Sequence, residues 1–409
     1  MKLERIDIGP SPVRRGHARL TGWVRYDRPA DGVAGEAYWY EVPDAFAGDL
    51  TTSGNPWLAA LLPVAVTLGE SLVLSRPVDA RQLDNARELM LAWAHWFPQR
   101  QPVPIEADVT PSAPPGSPDA LSRTATFFSG GIDSFWTALR PRAAPLDDLV
   151  LVLGTFDLAA ADDAALDRVR ARMQGAADAM GKVLVPITTN QMRTRLASTD
   201  PRRMSGHSML GSATLALESR YSRVLASTSV DLDWPDGEGN ESVLSELLST
   251  SRTRFAAEGA LVSRVDKTAL VARSEAARGA LRVCFLSGNE DNCMACVKCL
   301  RTAATLEALG GLARWPTFGG RPLPASRVAR ATLAEEVERY FFAELPPFCR
   351  ARGREDLARA AESAIARARR HDAFRPLVRW LRRNPRVARA TRWLEARVQD
   401  PVVPPGYAR

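Results

Sequence analysis

The chain has 409 residues, of which 45% are hydrophobic and 25% charged, and its formal net charge is +7. That profile fits a globular protein of about two or three domains and excludes disordered, fibrous and disulfide-scaffold classes. The charge is uneven: residues 321–409 hold 20 Arg against 10 acids, and the remainder carries a net charge of −3. Such a tail admits RNA or another polyanion as a partner, but four Lys against 50 Arg reads first as a compositional bias. The first twenty residues lack an apolar core, and the most membrane-like run, 57–67, is too short to span a bilayer and contains Pro63. A cytoplasmic protein without a membrane partner is expected.

Residues 1 to about 115 read as an N-terminal α+β domain of unknown role. Runs 3–8, 20–26 and 37–42 have the branched and aromatic content of strands. Asn55 is a candidate cap with Pro56 at the first position of a helix reaching about Leu68, residues 72–75 form a short strand, and 80–96 show helical spacing. The proline-rich run from Thr110 to Pro118 marks a linker.

From about 122 to 310 strands alternate with helices: strands at 125–128, 149–153, 183–188 and 223–227, helices at 134–139, 162–180 and 208–218. This alternation predicts an α/β fold, a doubly wound parallel sheet of Rossmann-like kind, with ligands at the carboxyl ends of its strands. Residues 323–400 form an Arg-rich helical extension, with helices at 329–345, 354–370 and 374–397.

Between the first strand of this sheet and its helix stands Ser129-Gly130-Gly131-Ile132-Asp133-Ser134. Glycines let the backbone approach an anion closely, and free N–H groups at a helix start hold phosphate oxygens. Ser129 and Ser134 add hydroxyls, and Asp133 braces the loop or helps place magnesium. The string is neither a Walker A loop nor a G-x-G-x-x-G fingerprint. Its plain structural reading is a glycine turn with Asp133 as a helix cap.

Four of the five cysteines are spaced C-x8-C-x2-C-x2-C: Cys284, Cys293, Cys296 and Cys299. Such thiolates converge on one ion, and a closed shell of four sulfurs suits a structural zinc. An iron–sulfur cluster is the alternative, although a bacterial ferredoxin run would need a cysteine where Ala303 stands. Cys349 is isolated.

The six-residue string resembles the signature of the PP-loop ATP pyrophosphatase superfamily (an adenine nucleotide α-hydrolase fold), whose members cleave ATP between the α and β phosphates and adenylate an oxygen. The string and the cysteine spacing together resemble the 7-cyano-7-deazaguanine synthase family over about residues 122–310. Val230-Asp231-Leu232-Asp233-Trp234-Pro235-Asp236 resembles that family's substrate loop, and Val265-Asp266-Lys267 a helix start it also carries.

The resemblance implies an ATP-dependent C–N ligase with ATP, Mg2+ and Zn2+ as cofactors. It would activate a carboxylate such as 7-carboxy-7-deazaguanine and form an amide or nitrile. It implies Ser129, Gly130, Gly131, Asp133 and Ser134 as phosphate-binding residues. Asp133 and Lys267 become catalytic candidates, Asp231, Asp236 and His207 substrate contacts, and a homodimer is suggested. Gly206-His207 departs from the family's Arg-Asn pair, and for Lys267 a solvated helix-start lysine is an equal reading. No nucleophilic cysteine follows Met1 and no Gly-x-Cys-x-Gly elbow exists, so free ammonia or a substrate amine is the expected donor. The flanking regions point to a larger substrate, such as a modified protein. The alternatives are a tRNA-thiolating enzyme on the same fold and a nucleotide-binding module in a defence or modification system.

Overall fold

The computed structural model describes residues 1–30, 32–111, 123–155, 163–229, 241–284 and 291–382. Contacts part the chain into two compact units, the first from Met1 to Val262 and the second from Ser263 onward.

The first unit opens with an antiparallel meander, β1 (Lys2–Pro10), β2 (His17–Ala30) and β3 (Val33–Pro43). Side chains alternate across a strand, which puts Leu20, Val24, Tyr38, Tyr40 and Val42 on one buried face. Against it lies α1 (Asn55–Leu68), buried from Asn55 to Val66 because it is apolar almost all round. Trp57 approaches β2 so closely that a Cβ on Gly22 would come within 2.5 Å of its ring. Asn55 is the first residue of α1 and Gly54 its cap. The Asn55 amide instead ties distant segments: Nδ2 donates to Glu218 Oε2 at 2.7 Å, and Oδ1 accepts from Asp79 N at 2.8 Å. Short strands β4 (Leu72–Leu74), β5 (Val78–Asp79), β6 (Ile105–Glu106) and β7 (Val109–Thr110) surround α2 (Ala80–Trp96), which Asp79 caps by accepting from Gln82 N. The linker run lies almost wholly outside the described residues.

The rest of the unit is the parallel layer. Strand β8 (Arg123–Phe127) leads through α3 (Ile132–Leu139) to β9 (Asp148–Leu153), and α4 (Asp163–Ala179) leads to β10 (Val183–Thr189). From there α5 (Gly206–Leu215) crosses to β11 (Tyr221–Ser227), and α6 (Glu241–Glu246) precedes β12 (Arg254–Glu258). Every residue of β9 is buried, as expected of a strand covered on both faces. Ten strands form one sheet in the order β12-β11-β8-β9-β10-β3-β2-β1-β4-β6. All pairs from β12 to β10 are parallel. The meander joins through Thr188↔Glu41 and Thr189↔Tyr40, antiparallel. The chain is thus α/β, with a large and mostly parallel central sheet. Its first parallel strand, β8, lies in the middle, and the direction of winding reverses between β8 and β11. Right-handed crossovers therefore put α3 and α4 on one face and α5 and α6 on the other.

The second unit is helical: α7 (Arg264–Val271), α8 (Glu275–Arg278), α9 (Val297–Ala308), α10 (Ala325–Ala329), α11 (Glu336–Ala343), α12 (Leu345–Arg350) and α13 (Glu355–Arg382). The helix expected at 329–345 is broken. A capping box of Glu335 and Glu338 starts α11 afresh, and prolines in the first turn start α12. The two helices expected at 354–370 and 374–397 are one continuous α13 as far as Arg382, beyond which the chain lies outside the described residues. No described helix is long and apolar enough to cross a membrane.

Candidate functional site

In the first unit the candidate site is the turn between β8 and α3. Phe128 N donates to Val150 O at 2.8 Å, so the chain stays tied to β9 one residue past the strand. Gly130 then takes φ 80, a left-handed conformation that glycine adopts without strain. Gly131 is the cap of α3, at φ −81 and ψ 170, and it supplies no side chain to the helix start. The first N–H groups of any α-helix lack an acceptor within the helix, so those following Gly131 stand at the positive end of the helix dipole without an intrahelical partner. Phe135 meets Phe128 edge-on at 4.8 Å between ring centres and braces the turn. Ser129 is exposed and Asp133 half-buried in the first turn. Ser134 departs from its expected part in one respect: it is buried, and its Oγ donates to Gly131 O at 3.0 Å. Its hydroxyl thus secures the loop itself.

The turn lies at the carboxyl end of β8, beside the reversal of winding, where open α/β sheets leave a crevice for ligands. The same edge carries Gly154, where a Cβ would stand 2.1 Å from Thr189 O, so β9 and β10 end with their backbones in contact. His207 is half-buried at the start of α5, directly after a π-helical turn, Pro201–Ser205, that Asp200 caps by accepting from Arg202 N and Arg203 N at 2.9 Å. Because α5 follows the exit from β10 and returns to β11, connectivity puts its first residues at that carboxyl edge too. Asp231 and Asp236 lie outside the described residues. A groove of about 550 Å3 lined by Phe46, Arg170, Lys182 and Val183 sits at the start of β10, on the opposite edge from the glycine turn.

In the second unit the four cysteines converge. Their sulfurs all lie within 4.8 Å of one another, three of the side chains buried and Cys293 exposed. Cys293 Sγ and Cys299 Sγ are 3.8 Å apart. Zinc–sulfur bonds of about 2.3 Å arranged tetrahedrally set sulfurs at about 3.8 Å, so the donor set fits that ion. The turn Cys293–Cys296 is a knuckle in which Cys293 Sγ accepts from Ala295 N at 3.4 Å and Cys296 N at 3.3 Å. Cys296 Sγ caps α9 by accepting from Cys299 N at 3.4 Å. Met294 takes φ 55 inside this knuckle, the one non-glycine with positive φ among the described residues.

As thiols, Cys296 and Cys299 resist ionisation. Hydrogen bonding with Cys284 comes first among the causes that push Cys296 up to about 12. The same contact with Cys284, then one with Cys296 and burial, drives Cys299 well above the usual thiol range. Four thiolates at this spacing need a cation among them, and a thiophilic divalent ion such as zinc supplies it. Cys349 stands apart on α12, fully buried, with its thiol pushed up to about 11 by burial.

Lys267 lies on α7 and is 1% exposed, so it is not a solvated helix-start lysine. Ser263 caps its helix by accepting from Asp266 N at 3.2 Å, and Glu344 Oε2 accepts from Val265 N at 3.0 Å. A buried ammonium requires compensation, and Lys267 is engaged where it sits. Sequence reasoning overlooked Asn292, buried directly before Cys293. The signal was an uncharged amide flanking a ligand cysteine, which spacing arguments about thiols pass over. No family model matches the chain, and no curated protein or solved structure matches it either.

Proposed function

We propose that this chain is a nucleotide-dependent ligase of the PP-loop kind, which uses ATP and magnesium to adenylate a carboxylate and then joins nitrogen to it. One observation carries the reading: a helix start whose cap, Gly131, offers no side chain, preceded by a left-handed glycine, at the carboxyl end of the central strand beside the reversal of winding. The N–H groups following Gly131 would hold phosphate oxygens, with Ser129 as an added donor and Asp133 at the magnesium or the loop. A carboxylate oxygen attacks the α-phosphorus and expels pyrophosphate. Ammonia or a substrate amine then attacks the acyl carbon and releases AMP. Preorganised donors at the phosphates stabilise the charge that builds there. The four-sulfur centre, with every position filled by cysteine, would serve structure when zinc is bound.

The carboxylate is proposed to be 7-carboxy-7-deazaguanine or a related acid, on the resemblance of residues 122–310. Residues 1–115 and the Arg-rich extension then serve recognition of a larger partner, with a homodimer as the assembly. Thiolation of tRNA is a weaker reading. The only cysteine outside the quartet, Cys349, is buried with a raised pKa and is poorly suited to carry sulfur. The test is incubation with ATP, magnesium, ammonia and 7-carboxy-7-deazaguanine, followed by nucleotide and mass analysis. Release of AMP and pyrophosphate with loss of the acid is expected. Release of ADP, or of no nucleotide product, would remove the proposal. AMP release that leaves the acid intact would retain the ligase and discard this substrate.

A further inference from the structure

Asn292 makes a full set of bonds with its side-chain amide. Nδ2 donates to Leu281 O at 3.0 Å and to Thr317 O at 3.1 Å, while Oδ1 accepts from Val283 N at 2.8 Å. Its backbone N–H also donates to Thr317 O at 3.0 Å, and Thr317 Oγ1 donates to Leu281 O at 2.9 Å. Three stretches of chain therefore meet on one buried side chain: residues 281–283, which lead into Cys284; residue 292, which leads into Cys293; and Thr317.

The cysteine ligands come from two of those stretches. Cys293, Cys296 and Cys299 are held to one another by the knuckle and the first turn of α9. Cys284 arrives on the other arm, and Val283, the residue before it, is bonded to Asn292. Metal–sulfur distances in genuine tetrahedral sites fall within about 0.2 Å of about 2.3 Å, so the two arms must keep a fixed register. We propose that Asn292 is a positioning residue of the metal centre. It locks the Cys284 arm to the Cys293–Cys299 arm in the register that a thiophilic divalent cation requires. Asn292 is not a ligand: its Oδ1 accepts from Val283 N and lies 3.8 Å from Cys299 Sγ. The inference rests on the metal centre and not on the ATP chemistry.

The experiment uses the full chain and Co2+ as the probe, with affinity measured against a chelator and the sulfur-to-cobalt charge-transfer absorption read per bound ion. Asn292→Ala is expected to weaken binding about ten- to a hundredfold, the range for residues that orient ligands, and to lower the absorption per cobalt as the Cys284 arm drifts. Thr317→Val, which removes one brace of the same junction, should weaken binding in the same direction and by less. A purely structural part for Asn292 would lower the melting temperature and leave affinity and spectrum unchanged in the folded protein. That outcome overturns the inference. Should Asn292→Ala fail to fold, Asn292→Ser and Thr317→Val decide, and unchanged affinity in both overturns it. A wild-type chain that takes up neither Co2+ nor Zn2+ removes the metal centre and this inference together, and leaves the AMP-release assay untouched.

Discussion

At Gly130, with φ 80, alanine would add strain of about 1–2 kcal/mol and distort the turn proposed to hold phosphate. Gly130→Ala is therefore expected to abolish measurable ATP binding by calorimetry while the protein remains folded; retained affinity would count against the phosphate turn. Cys349 gives a prediction in pH. Its thiol is pushed from 9.0 to about 11 by burial, so the folded state prefers the neutral form. The sign follows from linkage: this stabilisation is complete below the unfolded value of about 9 and is lost as pH rises towards about 11. Replacing Cys349 with alanine should flatten that alkaline decline in denaturant midpoints, whatever it does to stability at pH 7. Of the residues read from the sequence, the four cysteines were legible because metal-ligand spacing is a local property. Lys267 was half-legible: a helix start near it could be read, but not its burial, which helices distant in sequence impose.

Among the elements, the parallel strands carry their own test. Asp148 at the start of β9 is 0% exposed and bonded by both Arg123 and Arg220, the latter at 2.6 Å from Nε. The two arginines keep some access to water, at 33% and 15% side-chain exposure, so removing the acid costs less than breaking a fully buried pair, about 1–3 kcal/mol. Asp148→Ala should lower stability by about that much in urea titration; a loss below about 1 kcal/mol would mean the cluster is solvated. Strands β8 to β11 were readable from the sequence because short apolar or branched stretches, of which the fully buried β9 is the clearest, recur between helical stretches. The fifth parallel strand, β12, with sequence Arg-Phe-Ala-Ala-Glu, was not, since a short edge strand needs few apolar residues. Asn55 likewise has the chemistry of a cap, yet its amide serves a junction with Glu218 and Asp79 that no local pattern announces.

For the molecule as a whole, the four-cysteine cluster, which could hold a metal, and the sheet belong to different compact units. Stripping the metal with a chelator should therefore speed hydrogen exchange at the start of α9 and around Asn292, while amides of β9 keep their protection. Equal loss in both would show that the two units melt together. The antiparallel junction of β3 with β10 was beyond the reach of sequence reading, because pairing partners about 150 residues apart leave no periodic trace. That junction has a practical consequence for anyone trimming the gene. A version starting at residue 122 would leave the N–H and C=O groups at Thr188 and Thr189 without their strand neighbour and would strip the apolar cover supplied by α1. Such a fragment should collect in inclusion bodies, and a monodisperse peak on gel filtration would show that the missing third of the protein is dispensable for folding.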